Sequence, residues 1–83
     1  MVKLMEEFSA VLEKEDDWYV AHCPELGVAS QGKSVESALT NLKEAVELYL
    51  EDEDVQKMLK GRKFSHPIVT TIVVPSKIKK NGN

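Results

Sequence analysis

Carboxylates are the most numerous groups able to do chemistry in this chain of 83 residues, with 14 Asp and Glu against 11 Lys and Arg. A metal-dependent nuclease needs several of them converging on a divalent metal pair. Glu6, Glu7, Glu13, Asp16 and Asp17 are the candidates. Alternation puts Glu7 and Glu13 on the solvent face of a strand and Asp16-Asp17 in a turn, so nothing gathers them at one strand end. A solvated acidic surface is the favoured reading, because charged side chains are mostly exposed. Glu6 falls on the apolar face near its open end, which an edge position explains. His22, Cys23 and His66 raise the question of a metal site. Zinc takes ligands in recognisable spacings such as Cys-x-x-Cys or His-x-x-x-His, and neither is present. A nucleophilic cysteine needs an activating neighbour, yet His22, adjacent to Cys23 on a strand, points to the other face. Cys23 therefore reads as a small buried hydrophobe and His66, beside Pro67, as a loop end. The expectation is a protein that is not an enzyme and uses no metal or cofactor.

Binding chemistry is better represented. The net charge of −3 hides a strong asymmetry: all 14 acids lie between Glu6 and Asp54. From Val55 onward there are seven bases (Lys57, Lys60, Arg62, Lys63, Lys77, Lys79 and Lys80) and no acid. Such polarity points to charged partners. The acids around Asp16, Asp17 and Glu25 can steer a basic partner toward the surface, and Trp18 beside them is of the type that anchors interfaces. Lys63, Lys77, Lys79 and Lys80 can contact phosphate in a salt-sensitive way. No aromatic platform or recognition helix accompanies them, which favours a solubilising or subunit-clasping tail and leaves nucleic acid open.

These residues are positioned by a short series of elements. Residues 4–13 alternate, with Leu4, Glu6, Phe8, Ala10 and Leu12 on one face, and read as a half-buried strand. Lys14 to Asp17 form a turn, and Trp18 to Cys23 a second strand with Tyr19, Ala21 and Cys23 toward the core. Pro24 and Gly27 make the next turn, and Val28 to Gln31 a short third strand. Ser34 caps an amphipathic helix of about 18 residues, roughly 27 Å long, with Val35, Ala38, Leu39, Leu42, Ala45, Val46, Tyr49 and Leu50 on its inner face. Asp54 starts a second, short helix that turns Val55, Met58 and Leu59 inward and stops at Gly61. Ile68 to Val74, bracketed by prolines, reads as a C-terminal strand without charge on either face. A strand apolar on both sides is usually covered on both sides, so Ile68, Thr70 and Ile72 are expected to meet another subunit or a partner. The predicted architecture is α+β, a three-stranded antiparallel meander followed by long helix, short helix and strand (β-β-β-α-α-β). It spans one domain, residues 1–75, with a flexible basic tail at 76–83.

The ordered set Trp18-Tyr19-Val20-Ala21, Cys23-Pro24-Glu25-Leu26-Gly27, Ser30-Gln31-Gly32-Lys33-Ser34, Glu36-Ser37-Ala38, Asn41-Leu42-Lys43-Glu44-Ala45 and Tyr49-Leu50 resembles the HicB-like antitoxins. The resemblance runs from about Glu6 to Glu53. It implies a partial RNase H-like fold and a role in a type II toxin–antitoxin system. The implied partner is a small HicA-type toxin, an mRNA-cleaving protein of double-stranded-RNA-binding-domain fold with an essential histidine, whose active face the antitoxin covers. Lys33-Ser34 stands where the family has an acidic residue followed by Thr, and Ser34 keeps the capping role. Full-length antitoxins of this type also carry a C-terminal helix-turn-helix or ribbon-helix-helix domain. Residues 75–83 are too few for either, which leaves operator binding open.

Length and composition set the frame for these readings. At this size folding buries roughly 60–65% of the unfolded surface, so the core is thin and a homo-dimer or tetramer is expected. A lone Cys23 fits a reducing compartment. The first residues meet charge too early for a signal peptide, and no apolar run approaches the roughly 20 residues that span a bilayer. The expected location is cytoplasmic. The leading expectation is an antitoxin-like binding module. The alternative is a homo-oligomeric orphan of the same family that binds nucleic acid through its basic end or another protein through its sheet.

Overall fold

Two hairpins build the sheet. In the computed structural model, which describes residues 5–79, β1 (Val11–Glu15) pairs antiparallel with β2 (Trp18–Cys23), and β2 with β3 (Val28–Gly32). The strand order is β1-β2-β3. Asp16 turns the first hairpin with φ 52°, a left-handed conformation that Asp tolerates better than most side chains. Gly27, φ 72°, turns the second without steric cost. Successive residues along a strand alternate faces, so Tyr19, Ala21 and Cys23 all lie on the side that carries the helix.

Helix α1 (Val35–Glu51) crosses that face over β2 and β3. Its start is fixed by Ser34, whose hydroxyl accepts from the Ser37 N–H at 3.0 Å, while the Ser37 hydroxyl accepts from the Ser34 N–H at 3.0 Å. Two otherwise unpaired donors are satisfied reciprocally. The same turn presses on Gly32, where an added Cβ would lie 2.6 Å from the Ala38 nitrogen. Asn41 Nδ2 donates to the Gln31 carbonyl at 2.8 Å and ties the helix to β3. The fully buried core is small: Ala21 and Cys23 from β2, Ala38 and Leu42 from α1. Phe8, Leu12, Tyr19, Leu26, Val28 and Val46 pack around it, partly exposed.

Helix α2 (Glu53–Leu59) follows α1 after a single residue. Its cap is Asp52 rather than the expected Asp54: the Asp52 carboxylate accepts from the Asp54 and Val55 N–H groups at 2.8 and 3.2 Å. Met58, expected inward, is exposed, because so short a helix has room to bury only Val55 and Leu59 in part. Gly61, φ 80°, ends it.

Two sequence expectations change. The first strand begins at Val11, not near residue 4; Leu4 lies outside the described residues, and residues 5–10 lie outside the ladder. The register explains this. Val11 faces His22, and β2 ends one residue later at Cys23 before Pro24, so the upstream residues overhang the sheet. The predicted C-terminal strand at Ile68–Val74 is not formed in the single chain. It runs extended with no ladder partner among the described residues, and Ile72 and Val73 are 84% and 98% exposed. A strand pattern cannot satisfy its own backbone as a helix does; it needs a neighbour. This segment therefore stands off the body as an arm. The radius of gyration is 17.2 Å, against roughly 12 Å for a compact chain of this length.

Candidate functional site

At the end of the sheet away from the Asp16 turn, the overhang, the turn after β2 and the root of the arm meet. Ser9 comes from the overhang, Glu25 from the turn and His66 from the arm. The Glu25 carboxylate, whose side chain is 3% exposed, accepts from the Ser9 N–H at 3.0 and 3.1 Å. It lies 2.8 Å from His66 Nδ1, and the Ser9 hydroxyl lies 3.0 Å from the same nitrogen. With its proton on Nδ1, the imidazole donates to the carboxylate. Burial alone would push the Glu25 carboxyl up. Hydrogen bonds from Ser9, from the turn backbone and from His66 outweigh that and hold it at about 2, against an ordinary 4.5. Beneath it the Cys23 thiol donates to Glu25 at 3.5 Å, and burial pushes its pKa up, so the sulfur stays protonated.

Serine, histidine and a carboxylate in contact invite comparison with a hydrolase triad. The geometry differs. A triad uses opposite ring nitrogens, one for the acid and one for the hydroxyl. Here both contacts fall on Nδ1, so the arrangement clamps three segments together and does not activate Ser9. Among the described residues no three His, Cys, Asp or Glu side chains are grouped to hold a metal ion.

Beside the clamp lies an open groove of about 1030 Å³ between the overhang and α1. Phe8, Ala10, Leu39, Val46 and Leu50 give it apolar walls, and Glu6, Glu7, Glu47 and Glu51 stand among its lining residues. It exists because α1 lies over β2 and β3 and leaves the β1 side of the sheet uncovered. On its far side Phe64 packs edge-on against Phe8 with centroids 5.6 Å apart, and Arg62 lies over the Phe64 ring at 5.4 Å.

The residues singled out from sequence fall into three places. Asp16, Asp17 and Trp18 are together at the hairpin tip and exposed, with Lys33 Nζ 4.5 Å from the Trp18 ring centroid. Ile68, Thr70 and Ile72 lie on the exposed arm, as do Lys77 and Lys79, with Lys63 just before its root. Lys80 lies outside the described residues. Glu25 is not a free surface acid as expected but the centre of the clamp. His66 is more than a loop end, and no spacing signal could have shown it: it lies 41 residues from Glu25 and 57 from Ser9.

The model for a family of unknown function, DUF7387, matches residues 3–59, which take in the whole sheet and both helices. The chain belongs to the DUF7387 family. Members of the UPF0150 group are also similar to it. A UPF0150 protein of Helicobacter pylori strain J99 is 51% identical over 51 residues, covering 60% of this chain and 71% of that protein. The UPF0150 protein ssl0738 of Synechocystis sp. is 37% identical over 73 residues, covering 83% of this chain and 96% of that protein. A UPF0150 protein of Archaeoglobus fulgidus is 45% identical over 47 residues, covering 54% and 68%. No solved structure matches the chain. The DUF7387 match ends with α2 and so does not include the arm.

Proposed function

We propose that this DUF7387 protein is an antitoxin-like binding module that neutralises a small, basic, HicA-type RNA-cleaving toxin by covering it. The observation that carries the reading is the surface. Of the 14 acids only Glu25 is covered, and Asp52 caps α2; the 13 other than Glu25, from Glu6 to Asp54, are all exposed. Glu13, Glu15, Asp16 and Asp17 crowd the hairpin beside Trp18, which is 39% exposed. An acidic surface with an aromatic anchor complements a protein built to grip RNA phosphates, and steers it on encounter. The work is occlusion, without chemistry on a substrate. The meander and the helix crossing it supply the part of an RNase H-like arrangement that HicB-like antitoxins share, and Ile68–Val74 would add its further strand on pairing.

The test is co-expression with the small basic reading frame beside its gene. The two proteins should co-elute, and growth arrest by the toxin should be relieved at equal expression. Persistent arrest with no complex on a sizing column refutes the proposal. The second reading, nucleic-acid binding by the basic end, has one observation in its favour: Lys63, Lys77 and Lys79 are all exposed. It requires that the chain cut after Pro75 lose a salt-sensitive affinity for duplex that the full chain possesses.

A further inference from the structure

Among the described residues, two stretches patterned as strands carry a backbone edge with no ladder partner, although the Ser9 N–H on the first is taken by Glu25. One is the outer edge of β1 with the overhang before it, residues 5–15, because the sheet order leaves β1 at an edge. The other is the arm, Ile68–Val74. The opposite edge is less open: β3 has Gly32 pressed under the first turn of α1 and the Gln31 carbonyl taken by Asn41. A bare edge and a bare apolar strand in one chain are each a template for pairing.

We propose that two copies of this chain exchange arms, each arm pairing as a fourth strand along the β1 edge of the other copy. A second copy is the occupant the observations favour for three reasons. The arm is long enough: seven residues against an eleven-residue edge. The charges match in either strand direction. The edge carries exposed Glu6-Glu7 at one end and Glu13 and Glu15 at the other, while the arm is flanked by Arg62-Lys63 and by Lys77 and Lys79. Finally, alternate side chains of an added strand would enter the groove beside α1, whose apolar walls the single chain leaves open. The clamp at Glu25 fixes the root of each arm against its own overhang, and Pro67 follows immediately, so both copies launch the arm from the same point. Exchange is reciprocal and closes on itself under two-fold symmetry, leaving neither arm unpaired.

The full chain, measured by light scattering at tens of micromolar, should show twice the chain mass or a larger even multiple. The double variant Ile72→Lys, Val73→Lys changes only side chains already exposed in the single chain, so its circular dichroism should be unchanged while its mass falls to that of one chain. Exchange itself is read by mixing Glu13→Cys on one size-tagged copy with Thr70→Cys or Thr71→Cys on another. Oxidation should join one of each, since Cys23 is buried and does not compete. A wild-type monomer, a double variant that stays dimeric, or a disulfide closed within one chain when edge and arm cysteines share it would each overturn the proposal. The last result would mean that the arm folds back onto its own edge.

Discussion

Glu25→Gln is the substitution that asks most of this structure. It keeps the shape of the side chain and removes its charge. In the native chain the carboxylate accepts from the Ser9 N–H, faces His66 Nδ1 at 2.8 Å and accepts a hydrogen bond from the Cys23 thiol. An amide keeps one oxygen for Ser9 but presents its NH2 to the other donors. Hydrogen bonds to a charged acceptor contribute about 1.5–3 kcal/mol each when covered, and an unsatisfied covered group costs a similar amount. The His66 contact counts for less, because that side chain is 52% exposed and solvent screens it. The net expectation is a loss of about 2 kcal/mol, which for a domain this small lowers Tm by roughly 10 °C.

The pH dependence makes the argument specific. The carboxyl is held at about 2 in the folded protein against an ordinary 4.5. A depressed pKa adds stability that is present above the unfolded value and is lost as pH falls through the folded one. Urea denaturation of wild type and Glu25→Gln should therefore differ by the full amount near neutral pH. The gap should narrow below about 4.5 and nearly close at about 2. The other 13 acids are common to both proteins and cancel in the difference. Equal midpoints at neutral pH, or a gap that persists undiminished at the acid end, would refute the clamp.

Three further outcomes follow from geometry already described. Gly32→Ala drives a methyl into the backbone of Ser37 and Ala38 and should cost about 1–3 kcal/mol in a denaturation curve; unchanged stability would mean that α1 does not press on β3. Ser34→Ala removes half of a reciprocal cap and should cost about 1 kcal/mol, visible as a lower Tm with the same unfolding slope. Asp16→Asn with Asp17→Lys removes the negative charge of the hairpin tip while Asn keeps the left-handed turn, and both side chains are exposed, so folding should be unaffected. Association with a basic toxin should slow, and its salt dependence should flatten, in a surface-plasmon measurement.

How much of this was legible in the sequence follows from which elements are self-sufficient. Helix α1 satisfies its own backbone, so periodicity and a capping serine located it almost to the residue. The inward set Tyr19, Ala21 and Cys23 was equally readable, because β2 sits between two strands and one helix. Alternation at residues 4–13 reported the inner face in part, with Phe8 and Leu12 against the core but Glu6 and Ala10 exposed, and at 68–74 every residue is exposed. Alternation cannot report whether a neighbour exists, and there both strand assignments exceeded what one chain can pair. The cap of α2 moved from Asp54 to Asp52 because adjacent acids offer equivalent side chains and only the turn geometry chooses. Glu25 was misread as free for a different reason: its partners arrive from segments distant in sequence, which local pattern does not encode.

The two interactions proposed for this DUF7387 protein use opposite ends of the same sheet. Arm exchange draws on the overhang, the β1 edge and the groove next to the Glu25 clamp. Toxin binding is assigned to the hairpin tip at Asp16, Asp17 and Trp18. Strand β2 runs from one to the other, Trp18 to Cys23, a rise of roughly 17 Å at about 3.3 Å per residue. That distance exceeds the reach of electrostatics between exposed groups at physiological salt, about 8 Å, so the groove end of the edge is independent of the tip, while Glu13 and Glu15 at the tip end of β1 belong to both surfaces. The charge asymmetry of the sequence then divides naturally. Acids along the β1 edge are matched by the basic flanks of a second copy's arm, while those at the hairpin tip make no ion pair among the described residues: nearby Lys33 lies over the Trp18 ring and Lys14 over the Tyr19 ring. An exchanged dimer would thus neutralise the edge it pairs through and present two acidic tips outward. On this arrangement the arm variants that abolish the dimer should still bind one toxin per chain, with the loss confined to avidity.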